Sequence, residues 1–132
     1  MSQLLVAFVA ALVVFCVGDF VWLGLIARDF YQAQIGGLLL DRPNWTAAAL
    51  FYPLYAAGVV LFCVVPAIAI GSWGRAFGTG LLLGLLCYAT YDLSNLATLK
   101  GWTTNIVVVD VLWGVAVTAA AAGAGYFAAR AF

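Results

Sequence analysis

Four long apolar stretches, Leu4 to Ala27, Trp45 to Ile70, Phe77 to Leu99 and Asn105 to Arg130, take up most of the 132-residue sequence. Each meets the length of about 20 residues that an α-helix needs to cross the hydrocarbon core of a bilayer. What lies between them is too short to fold as a soluble domain. Hydrophobic residues make up 67% of the chain and charged residues 8%, against the roughly one quarter charged that a soluble domain carries. No polar coat can be built from this composition, which excludes a cytosolic enzyme, a secreted disulfide scaffold and a disordered tail. Five basic residues balance five acidic ones, so there is no basic stripe for phosphates, and nucleic acid is not expected as a partner.

The expected fold class is all-α: an integral membrane four-helix bundle forming one transmembrane domain over residues 1–132. An even number of crossings returns both termini to one side, called A here. The two later connections are short, so the second span should lie beside the third and the third beside the fourth, as antiparallel neighbours. Pro43-Asn44-Trp45 and Thr103-Thr104-Asn105 supply helix starts, while Gly71-Ser72-Trp73-Gly74 and Gly101-Trp102 supply exits. Trp45, Trp73 and Trp102 stand where interfacial anchors belong. The first connection, Arg28 to Asn44, is longer but too mixed to span, and reads as an interfacial segment or lid over side B. Side B carries Arg28, Arg42 and Lys100 against Arg75 and Arg130 on side A, which leans B toward the cytoplasm by one residue. The N-terminal run lacks the basic flank of a signal peptide and contains Asp19, so it reads as a retained span.

There is no His, every acid is Asp, and the single Lys is Lys100. That removes haem ligation, His-based zinc sites and Ser-His triads, and neither a cofactor nor a metal is expected. Cys16, Cys63 and Cys87 fall in three different apolar runs and read as small packing residues rather than a disulfide framework.

Asp19, Asp92 and Asp110 lie inside the spans, where a charged residue costs about 2.5 to 3.5 kcal/mol at a helix centre. Counting from the helix ends at 1.5 Å per residue, all three fall roughly 8 to 12 Å below the side B surface, at one depth. Tyr88, Asp92 and Asn95 follow helical spacing on the third span with Tyr91 beside them, and Tyr52 and Tyr55 on the second span reach the same level. Asp19 with Trp22, and Asp110 with Trp113, share an Asp-x-x-Trp spacing that puts carboxylate and indole on one face. No base lies within the spans to relieve these acids, so at least one is expected to hold a proton. These ten residues form the candidate ligand site.

Small residues, Gly80 and Gly84 on the third span and Ala119 to Gly125 on the fourth, lie toward side A. They permit close backbone approach, so the bundle should be tight at A and wider at B. Packing within the monomer is the first use of Gly80 and Gly84; a homodimer through them is the second.

The blocks Asp19-Phe-Val-Trp22-Leu-Gly24, Phe51-Tyr52-Pro53-Leu-Tyr55, Tyr88 to Trp102 and Asp110-Val-Leu-Trp113-Gly114 closely resemble the small bacterial membrane proteins catalogued as domain of unknown function 2177. The resemblance covers essentially the whole chain. It implies four transmembrane helices in a bacterial inner membrane and brings no established activity with it. Three functions compete: a site that binds or conducts a proton, a cation or an amphipathic small molecule; an intramembrane enzyme using Asp acid/base chemistry on a lipid; and a structural accessory subunit without a ligand. Membrane lipid is the expected surrounding partner in each.

Overall fold

The computed structural model describes residues 2–132. Four helices are long and apolar enough to cross a membrane: α1 (Gln3–Ile26), α3 (Trp45–Ile70), α4 (Trp73–Thr98) and α5 (Thr104–Ala131). A short helix, α2 (Arg28–Ile35), and a single 3₁₀ turn (Gly36–Leu38) follow α1. Among the described residues there is no strand, and the all-α membrane bundle is what forms.

Polar side chains set the helix starts. Ser2, Asn44, Ser72 and Thr103 each accept a hydrogen bond from the backbone N–H three residues on, satisfying donors that the first turn leaves unpaired. Gly71 closes α3 in the left-handed region (φ 65°), and Ser72 at once caps α4. The turn is therefore two residues long, and α4 begins at Trp73 rather than at Phe77. Reading Gly71 to Gly74 wholly as an exit overlooked that Ser72 can start the next helix by binding the Arg75 N–H.

Helix α5 is the centre of the bundle, packed along α4 on one side and α1 on the other. Gly84 makes the α4–α5 contact: a Cβ there would stand 2.5 Å from the Gly114 carbonyl oxygen and 2.9 Å from Val115 Cα. A Cβ on Gly80 would meet Ala119 Cα at 2.9 Å. Both glycines are buried against α5 within the chain, which is the first of the two uses expected of them. The side A core is made of small residues and slim side chains, among them Ala7, Ala11, Val64, Ala67, Ala76, Ala121, Ala122 and Ala129. The two ends meet there, with Gln3 Nε2 donating to the Ala129 carbonyl at 2.9 Å.

Helix α3 treats its neighbours differently along its length. Its second half, Val60–Ile70, packs against α4, whereas Trp45–Val59 leans on α1 and α5. The second and third spans are thus neighbours only toward side A, and they part toward side B. The lid expected over side B is α2 with the following 3₁₀ turn. Ala27, Tyr31 and Ile35, spaced four apart on one face, bury against Ile106 and Val107 at the start of α5. Thr103 adds a hydrogen bond to Gln34 at 2.6 Å.

Candidate functional site

The splayed half of the bundle encloses a cavity of about 590 Å³, within the range usual for small-molecule sites. Asp19, Tyr52, Tyr55, Tyr88, Tyr91 and Asp110 line it, with Leu23, Tyr31, Ile35, Leu39, Phe51, Cys87, Trp102 and Ile106 completing the walls. A second hollow of about 280 Å³ shares Phe51, Tyr55 and Cys87 and lies between α3 and α4 toward side A. Leu54, Gly58, Phe62 and Leu83 give it an apolar surface.

Two neutral donors hold Asp19, which is 6% exposed. The Tyr52 hydroxyl donates to Oδ2 at 2.7 Å and Trp113 Nε1 donates to Oδ1 at 2.8 Å. Asp110 is held from the lid, because the Tyr31 hydroxyl donates to its Oδ1 at 2.6 Å while accepting from Trp22 Nε1 at 3.2 Å. Trp22 and Trp113 stack at 4.8 Å with planes 7° apart, so the two carboxylates are joined through an indole pair that stands behind the cavity wall. The shared Asp-x-x-Trp spacing thus has a joint purpose: each indole serves a carboxylate network, and their faces pack on each other.

Gly114 lets this wall form. A Cβ on it would stand 2.0 Å from Tyr88 Cγ, so the Tyr88 ring lies on the bare backbone of α5. Tyr55 bonds to Thr118 on α5 at 2.8 Å, a partner that no spacing within one span marks.

Asp92 departs from its expected setting. It is fully buried beside Asp110 and Trp102, yet neither of its oxygens has a hydrogen-bond partner, and Trp102 Nε1 is buried without one as well. Tyr88 and Asn95 share the helical face predicted to surround it, but neither bonds to it: Tyr88 is drawn over Gly114, and Asn95 lies beside Tyr91 away from the cavity. Asp110 is the shared neighbour of Asp19 and Asp92. Among the described residues no three His, Cys, Asp or Glu side chains form a set able to hold a metal ion.

Tyr31 and Trp102 are site residues that spacing within the spans could not find. The repeat Ala27, Tyr31, Ile35 marks an apolar lid face, and that signal was present in the sequence. Trp102, at the position of an interfacial anchor, also lines the cavity edge-on to Tyr91 at 5.7 Å. Outside the spans, burial foremost and then the bonded Asp110 push the Tyr31 phenol well above its ordinary value, while Trp22 acts weakly the other way. Tyr31 therefore stays a donor. Its contribution is complete below the ordinary phenol value of about 10 and is lost only as pH rises through the higher folded value.

The family model described as "Predicted membrane protein (DUF2177)" matches residues 4–127. No curated protein and no solved structure matches the chain. The chain belongs to this family of predicted membrane proteins.

Proposed function

We propose that this member of the predicted-membrane-protein family binds an amphipathic small molecule that enters sideways from the lipid between α3 and α4. The observation that carries the reading is that two hollows lie side by side and share Phe51, Tyr55 and Cys87 as walls. The chamber holds Asp19 and Asp110, and the hollow on the other side of Phe51, Tyr55 and Cys87 is lined almost wholly by hydrocarbon and aromatic rings. A polar end in the first and a chain in the second satisfy both, since apolar surface favours burial and buried acceptors require donors. Cys87 is exposed at the mouth, so a molecule dissolved in the bilayer reaches the chamber without crossing water. The membrane proposed is a bacterial inner membrane, on the resemblance of the motifs and because outer-membrane spans are β-barrels rather than helices.

Photo-crosslinking tests this. A benzophenone side chain in place of Cys87 faces the mouth, and one in place of the neighbouring Leu86, 57% exposed, serves as the lipid-facing control. The expected result is a discrete adduct at position 87 that differs from the bulk-lipid adducts at 86. Identical adduct spectra at both positions would leave the bundle without a selective ligand and favour the accessory-subunit reading.

A further inference from the structure

The geometry points to a cationic amine as the polar end of the molecule this cavity takes, which rests on the amphipathic reading above and specifies its ligand. Charge balance is the first observation. Asp19 and Asp110 line the chamber and Asp92 stands buried and unpartnered beside Asp110, but all five basic side chains of the chain are exposed and none lines the cavity. A buried carboxylate without a countercharge is costly, and since a held proton relieves only part of this cluster, an acid that ionises there draws its positive charge from outside the chain. The second observation is the wall material. Tyr55, Tyr88, Tyr91 and Trp102 present aromatic surface around the same space, and aromatic faces attract ammonium groups through the ring quadrupole. A neutral hydroxyl gains hydrogen bonds here but no charge or ring-quadrupole attraction, and an anion is repelled by the carboxylates. The third is donor accounting. The Tyr52, Trp113 and Tyr31 donors are already committed to the two acids, and Asp110 accepts one hydrogen bond, through Oδ1. The chamber thus offers a ligand the second oxygen of Asp110 and π-faces, with Trp102 Nε1 and the Tyr88 and Tyr91 hydroxyls as the donors not already committed.

The amine could be the head of a bilayer lipid or a free single-chain amine; the recognising chemistry is the same. The test is thermal melting of the purified protein in maltoside detergent at pH 7, with tetradecylamine, tetradecyltrimethylammonium or tetradecanol below their micelle-forming concentrations. Both cations should raise the melting temperature at concentrations at least about tenfold lower than the alcohol requires. Asp110→Asn should erase that preference. Tyr91→Leu, at a 54% exposed position whose replacement leaves the core intact, should weaken cation binding by about two- to fivefold, which keeps the test decisive if the Asn variant does not fold. Equal stabilisation by the alcohol and the amines overturns the cationic assignment and leaves the amphipathic reading standing; no stabilisation by any of the three overturns both. Native mass spectrometry with phosphatidylethanolamine and phosphatidylglycerol separates the sources. Retained phosphatidylethanolamine that tetradecylamine displaces assigns the site to a lipid head, and amine binding with neither lipid retained assigns it to free amines. Preferential retention of phosphatidylglycerol overturns the proposal.

Discussion

At the scale of single residues, the acids fall into two kinds. Asp19 is a satisfied carboxylate with donors on both oxygens, whereas Asp92 has none. Interhelical hydrogen bonds in membranes average about 0.6 kcal/mol and reach about 1.7, with charged acceptors at the strong end. Tyr52→Phe, which strips Asp19 of one donor, should therefore cost about 1 to 2 kcal/mol, and Tyr55→Phe, which breaks only the bond to Thr118, about half as much. Equal losses on thermal melting would mean that Asp19 gains nothing from its partner. Asp92→Asn replaces an acid facing Asp110 with a group that donates to it without having to hold a proton, so this variant should melt at or above the parent. A drop of several degrees would show that Asp92 has a structural partner. The three acids were legible from the sequence because charge inside an apolar span stands out. Which of them is satisfied was not, since it depends on donors from three other elements.

Among the elements, the α4–α5 contact and the lid carry the site. Gly84→Ala puts a methyl group 2.5 Å from the Gly114 oxygen, where nothing flexible can give way, and should cost about 1 to 3 kcal/mol or more. Gly78 on the same helix has open space around its Cβ direction, so Gly78→Ala should be neutral or slightly stabilising. Comparable losses for both, measured by melting, would contradict the close packing of α4 on α5. In the lid, Tyr31→Phe removes the bond to Asp110 and should raise hydrogen exchange over residues 28–38 with little change in α4 or α5. Unaltered protection there would mean that burial of Tyr31 and Ile35 alone holds the lid. The lid bond should also be insensitive to pH between 6 and 9, because Tyr31 keeps its proton throughout that window. Helix number and the small-residue face of α4 were legible, as both are periodic signals along one chain. The position of α2 was not, because its Tyr31 acts on a residue 79 positions away.

The whole molecule is a wedge: narrow at side A, where alanines and glycines let the helices touch, and open at side B, where tyrosines and tryptophans hold α3 away from α4. That asymmetry follows from where the small residues sit and was readable in outline. The full antiparallel pairing of the second and third spans was not, because the chain connection constrains only the side A end. An open wedge in lipid is filled either by bilayer chains or by a chosen molecule. Native mass spectrometry of the protein extracted with its own lipids, run beside the Cys87→Trp variant that blocks the mouth shared by both hollows, distinguishes them. The expected result is a defined mass retained by the parent and lost from a variant that still melts near the parent's temperature. A parent that carries no discrete mass, or a variant that retains it equally, would contradict a selective site between α3 and α4.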